Sequence, residues 1–160
     1  TDTNVALASL GAVATQSSTG HGSPADRAID GNTDPMWENG SMSHTADGDK
    51  RPWWQVQLKG PQTIGKVKVY NREGAPERMV GFILTIYDGE VEVYNSAVSA
   101  SLESSTEKPV YTFAIPGVTG DRARVTNPRE MWLHLAEVEV FKACVHDCAL
   151  SADELNALDC

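Results

Sequence analysis

Residues 82–98 read FILTIYDGEVEVYNSAV, two alternating runs of apolar and polar residues joined by Asp88-Gly89. Period-two alternation places every second side chain on one face of a strand. An Asp-Gly pair between two such runs signals an antiparallel hairpin, because glycine takes φ > 0 without a Cβ clash. The same pattern extends outward on both sides. WWQVQL (53–58), IGKVKVY (64–70), VYTFAI (110–115), RARVTN (122–127) and LHLAEVEVF (133–141) alternate or are rich in β-branched and aromatic residues, and clusters of Gly, Pro, Asp and Asn separate them. Trp53 and Trp54, a pair opening a strand, are read as core. A helical signal occurs only at SADELNAL (151–158), where Ser151 is the cap and Glu154 completes a capping box. The chain is therefore read as all-β, a single antiparallel β-sandwich of jelly-roll type, with a short cysteine-containing C-terminal tail that ends in a helix.

The chain has 160 residues, the size of one domain with a real core. A net charge of -9 argues against nucleic acid and anionic membrane as partners, since both reward a basic face. No stretch approaches the roughly 18–20 apolar residues of a membrane span, and TDTNVAL at the start has neither a charged n-region nor an apolar h-region. The three cysteines, Cys144, Cys148 and Cys160, all lie in the tail. An odd number fits one disulfide plus a thiol that is free or pairs elsewhere, in an extracellular setting. His146 lies between Cys144 and Cys148, but no second ligand pair follows at zinc spacing.

Two loops carry the chemistry. NREGAPER (71–78) follows a strand and sets Arg72 and Arg78 around Gly74 and Pro76, a turn that places two guanidinium groups. RAIDGNTDPMWENGSMSH (27–44) offers Asp30, Asn32, Asp34, Glu38, Asn39, Ser41 and Ser43 as hard oxygen ligands, with Gly31 and Gly40 to turn carbonyls inward. That donor set suits calcium, although its spacing is not that of an EF-hand. An ordinary Asx-rich turn region is the alternative reading of the same residues. Asn39-Gly40-Ser41 is a glycosylation sequon by form.

NVALASLGAVATQSS, AIDGNTD, GSMSH, RPWWQVQL, VKVYNRE, ERMVGF and LHLAEVEVF, in this order, resemble the F-type lectins, or fucolectins, which belong to the discoidin-like β-sandwiches. The likeness runs from about Asn4 to Phe141. It implies a carbohydrate-binding domain over 1–142, with 143–160 as a tail or the start of a linker. It further implies a sugar site built from His44, Arg72 and Arg78, and a calcium ion held by the side chains of Asp30, Ser41 and Glu137 and the carbonyls of Arg27, Asn32 and Ala136. Many family members have a longer arginine loop with adjacent cysteines, whereas Glu73-Gly74-Ala75-Pro76 is about one residue shorter and carries no sulfur.

These residue types suit a neutral deoxysugar. Arginine presents planar forks of donors that are always charged, and a neutral histidine adds one further polar nitrogen, read here as a donor. Glu77 and Glu73 are expected to orient the guanidiniums, and Trp37, with His21 as the weaker alternative, to face the 6-methyl of L-fucose. His134 is expected to support the site from behind. The expected function is a calcium-containing lectin for fucosylated glycans, extracellular, with further domains or a homo-oligomer as possible partners. The alternatives are a discoidin-type membrane or cell-adhesion module, or a galactose-binding accessory module of a larger secreted enzyme. The tips STGHGS and REGAPE are too polar for lipid. An enzyme is not expected: Asp30 and Glu137 could imitate a glycosidase pair, but calcium would take both, and no nucleophile-elbow or zinc-hydrolase motif occurs.

Overall fold

The computed structural model describes residues 2–99, 101 and 103–144. The helix expected at 151–158, Cys148 and Cys160 lie outside the described residues; Cys144 is disulfide-bonded.

Among the described residues there are eight strands: β1 Val13–Gln16, β2 Ser43–His44, β3 Trp53–Tyr70, β4 Ile83–Asp88, β5 Val91–Asn95, β6 Val110–Thr126, β7 His134–Leu135 and β8 Glu137–Lys142. All described pairings are antiparallel. The main sheet runs β1-β3-β6-β4-β5, β8 joins β3, and β2 pairs with β7 in a separate ladder. WWQVQL and IGKVKVY are one continuous strand, as are VYTFAI and RARVTN. The β3–β6 register shifts between Gln57 and Gln62 and again between Ile64 and Lys66. Such irregularities let a strand bend from one layer into the other. The first part of β3 thus pairs with β1, its last part with β8, and β6 follows it throughout.

The hairpin of residues 82–98 forms, but its turn sits one residue later than expected. Asp88 pairs with Val91, so Gly89 and Glu90 make the loop, with Gly89 at φ 57. Its N–H donates to Asp121 Oδ1 at 3.1 Å, which ties the turn to the middle of β6.

The core lies between the layers. Trp54, Val56, Val67, Val69, Phe82, Leu84, Ile86, Tyr111, Phe113 and Val138 are buried, with Phe82 edge-on to Tyr111 at 4.8 Å. Trp54 is 1% exposed, and its indole N–H donates to the Ala25 carbonyl at 2.9 Å. The expectation of two core tryptophans holds for Trp54 alone. Trp53 lies half-buried on the opposite face beneath the Arg124 guanidinium, 4.7 Å from its ring. Period two forbids neighbours from sharing a face. The strand ends at His44, Tyr70 and His134 and the loops beyond them converge at one end of the sandwich.

Candidate functional site

At that end, His21, Trp37, His44, Asp47, Arg72, Arg78 and Trp132 line a cavity of about 290 Å³. Five separate segments contribute, and each is held in place. Gly20 donates its N–H to the His44 carbonyl at 2.9 Å, and a Cβ there would stand 2.5 Å from the Thr45 carbonyl oxygen, so only glycine lets the first loop lie against β2. Asp49 clamps the same loop by accepting from the Ser17 and Ser18 hydroxyls at 2.5 and 2.6 Å. His21 and Ala75 are the non-glycine residues at positive φ among the described residues, 52° and 70°. One lines the cavity, and the other starts the turn that delivers Arg78. Backbone strain costing about 1–3 kcal/mol per residue is thus concentrated at this end.

The two arginines are each laid over a tryptophan. The Arg72 guanidinium carbon is 4.9 Å from the Trp37 ring centre, and that of Arg78 is 4.3 Å from the Trp132 ring centre. Trp132 is pinned in turn by donating its indole N–H to Asp47 Oδ1 at 2.6 Å. No carboxylate forms an ion pair with either guanidinium among the described residues. Arg72 Nε is buried without a hydrogen-bond partner. Stacking on an aromatic face orients a guanidinium while leaving its in-plane N–H donors free.

Glu77, expected to orient these groups, is exposed and outside the cavity. Pro76–Met79 form one 3-10 turn, and at three residues per turn consecutive side chains diverge by about 120°, so Arg78 turns inward and Glu77 outward. The orienting role falls to Trp37 and Trp132. Glu73 lines a neighbouring cavity instead. Neither Trp132 nor Asp47 was expected from sequence. The signal was present: Trp132 lies two residues before His134, which pairs with His44 in the β2–β7 ladder.

His44 is 2% exposed, and its Nδ1 is 2.6 Å from the Thr45 carbonyl oxygen. A carbonyl only accepts, so Nδ1 carries the proton and Nε2 is left as an acceptor. The expected donor role of His44 is thereby reversed. Burial lowers the His44 pKa; the Thr45 carbonyl opposes that shift, while His21, Arg72 and Arg78 add to it. The ring is therefore neutral at pH 7. His21, Trp37 and His44 pack edge to face, with centroids 4.9–5.6 Å apart, and make an apolar wall beside the donors. His134 lies 5.7 Å from His44, fully buried and with both ring nitrogens unpartnered. Burial first, then His44 and the arginines, push its pKa down to about 3, so it is a neutral packing group.

The second cluster lies near Glu137. This residue is 0% exposed; Oε1 accepts the Gly31 N–H at 3.1 Å and Oε2 has no partner. Burial pushes its pKa up to about 8, opposed by the Gly31 bond and aided by repulsion from Asp30. Asp30 accepts the Asn32 N–H at 2.8 Å, and Ser41, buried, donates to the Asp34 carbonyl at 2.7 Å. Asp34 itself is engaged by the Met36 N–H and the Asn39 amide at 2.9 and 2.7 Å, so it organises the loop. Arg27 donates to the Ser23 hydroxyl at 3.2 Å, and Ala136 donates its N–H to the Tyr70 carbonyl at 3.0 Å. The pairing of β8 with β3 in register brings Glu137 opposite Tyr70, one residue before the arginine loop.

A family model described as NedA-like, galactose-binding domain matches residues 27–125. Fucolectin from Anguilla anguilla is 36% identical over 124 residues, covering 74% of this chain and 76% of that protein. The chain belongs to the F-type lectin family. Fucolectin-6 from Anguilla japonica is 34% identical over 120 residues, and the match spans 63% of its length, under two thirds. Among solved structures, a Streptococcus pneumoniae fucose binding module superposes with a TM-score of 0.79 at 30% identity, covering 89% of this chain and 96% of that one. This F-type lectin domain thus has the discoidin-like sandwich expected of it, and its relatives are lectins and carbohydrate-binding modules, not enzymes. No described helix is long and apolar enough to cross a membrane.

Proposed function

We propose that this domain is a calcium-containing lectin that binds L-fucose, free or at the end of a glycan, in the cavity between Trp37 and Trp132. The observation that carries the reading is the pair of guanidiniums stacked on tryptophan and left without carboxylate partners. A neutral sugar ring offers hydroxyl and ring oxygens that accept from Arg72 and Arg78, and one hydroxyl that donates to His44 Nε2. Each hydrogen bond to a charged donor contributes about 1.5–3 kcal/mol, which helps offset the ordering and desolvation that binding costs. The edge-to-face group of His21, Trp37 and His44 suits the 6-methyl. The names of the relatives, fucolectin and fucose binding module, support the same choice of sugar.

The residues near Glu137 fit a hard cation, because Oε2 is a buried carboxylate oxygen with no partner. Asp30, Ser41 and Glu137 with the carbonyls of Arg27, Asn32 and Ala136 would hold calcium. It would supply charge neutralisation for two carboxylates and a tie between the 27–41 loop and β8. Glycan binding outside the cell and a disulfide-bonded tail complete the reading, with avidity supplied by several sites on one particle.

Calorimetric titration of L-fucose, L-galactose and D-galactose tests it. L-Galactose differs from L-fucose only by a hydroxyl at the methyl. Losing the methyl burial and inserting an unpartnered hydroxyl predicts a preference for L-fucose of about tenfold or more. Equal affinities would remove the apolar wall from the account, and no binding of any of the three would remove the lectin.

A further inference from the structure

Arg72 also walls a second cavity. This space, about 380 Å³, lies among Pro35, Asn71, Glu73, Pro76, Glu107 and Pro109, and Arg72 is the residue it shares with the cavity described above. We infer that it is a second carbohydrate subsite, taking the neutral pyranose ring joined to the sugar held by Arg72 and Arg78; this rests on the proposed lectin function.

The first argument is that the space is built. The buried Asn71 amide donates to the Pro76 and Lys108 carbonyls, both at 3.0 Å, and its N–H donates to the Pro109 carbonyl at 2.8 Å. Glu73 donates its N–H to the Pro35 carbonyl at 3.0 Å. Three of these bonds fasten two separate segments, at Pro35 and at Lys108-Pro109, to the arginine loop and the fourth closes that loop on Pro76, so the walls need no ordering when a ligand arrives. The second is composition. Three proline rings give C–H surface for the face of a pyranose, while Glu73 and Glu107 are acceptors for its hydroxyls. The third is Arg72 itself, which lines both spaces and whose buried Nε has no hydrogen-bond partner. Arg72 is thus the wall that the two spaces have in common.

The chemistry also sets a limit. Lys108 Nζ is engaged by Glu103 Oε2 at 2.6 Å, so the carboxylates of Glu73 and Glu107 dominate the rim. A second ring carrying a carboxylate is repelled.

The test is calorimetry of methyl α-L-fucoside against neutral fucosyl disaccharides of differing linkage, and one disaccharide with an acidic second ring, on the parent domain and on Glu107→Lys. Glu107 is exposed, so the substitution leaves the fold intact. One or two added hydrogen bonds predict that at least one neutral linkage binds about tenfold tighter than the monosaccharide. The acidic disaccharide gains nothing on the parent. Glu107→Lys loses the neutral gain while binding methyl α-L-fucoside within about twofold of the parent. Disaccharides that all match the monosaccharide, or a gain that survives Glu107→Lys, overturn the subsite. Failure of the monosaccharide itself to bind overturns the lectin reading, and the subsite with it.

Discussion

The arginine cavity and the Glu137 cluster lie under the same loops, yet they leave opposite groups without partners. Around the cavity, two cationic forks lie on tryptophan faces and form no ion pair among the described residues, the Asp47 carboxylate being engaged by the Trp132 indole. Near Glu137, an acidic oxygen is buried with nothing to donate to it. On the proposed reading, the first pattern suits a neutral molecule rich in acceptors and the second a hard cation. Arg72 and Arg78 are half-buried, so a guanidinium without an ion pair costs little. Glu137 is fully buried, so an acidic oxygen without a partner there carries a desolvation cost.

The largest test of this contrast is Arg78→Ala. It removes directed donors and no core packing, so affinity for L-fucose is expected to fall by about 100-fold, from the loss of roughly 3 kcal/mol, while the melting temperature stays near that of the parent. Arg78→Lys recovers little, because a point ammonium offers no fork and stacks poorly on Trp132. Parent-like binding by both variants would take the cavity out of the account.

Chelation comes next and strikes the other site. Calcium at about 100 times its dissociation constant stabilises the folded state by about 2.7 kcal/mol, which for a domain of this size is a fall of roughly 5–11 °C in melting temperature when it is removed. In Glu137→Gln the melting temperature is expected to be insensitive to chelator. A parent domain that melts identically with and without chelator would leave Glu137 Oε2 without an explanation.

Trp132→Leu sharpens the comparison within the cavity. It keeps apolar volume but removes the π face under Arg78 and the tie to Asp47. Loss of a cation–π contact worth about 0.5–1 kcal/mol predicts an about two- to fivefold weaker L-fucose titration. No change would take the orienting role away from Trp132.

The smallest effect is that of pH. His44 is faced by His21, His134, Arg72 and Arg78, and burial places its folded pKa below its unfolded value. Below the unfolded value, near pH 6.5, the unfolded chain binds the proton more readily than the folded one. The contribution of His44 is thus full above that pH and is lost as pH falls through the folded value. Nε2 accepts only when the ring is neutral, so affinity is expected to be flat from pH 8 to about 6.5 and to decline below it. Affinity that rises on acidification would contradict the acceptor assignment.

The residues show why some of this was legible in sequence and some was not. Alternation at 64–70 and 133–141 and the Asp88-Gly89 pair marked strands and a hairpin because those signals are local. The length of β3 was hidden because the bulges near Gln62 and Lys66 interrupt the side-chain period while backbone pairing continues. Trp53 and Trp54 were separated by strand geometry that the pair itself does not state. His44, Arg72 and Arg78 came from motif likeness and Trp37 from the need of a methyl for a nonpolar wall, and the four share one cavity, whereas Trp132 and Asp47 meet only through the β2–β7 ladder and a turn far apart in sequence. Glu137 looks like any inward residue of a strand until that strand is placed beside the 30–31 turn.

The four tryptophans permit the most direct test. In a nitrogen–proton correlation spectrum each indole N–H gives its own signal, and titration with L-fucose reports which ones meet the sugar. The signals of Trp37 and Trp132 are expected to shift together and saturate with one midpoint between roughly micromolar and millimolar, while those of Trp53 and Trp54 stay in place. Unmoved Trp37 and Trp132 signals at saturating sugar, or shifts confined to Trp53, would contradict the site.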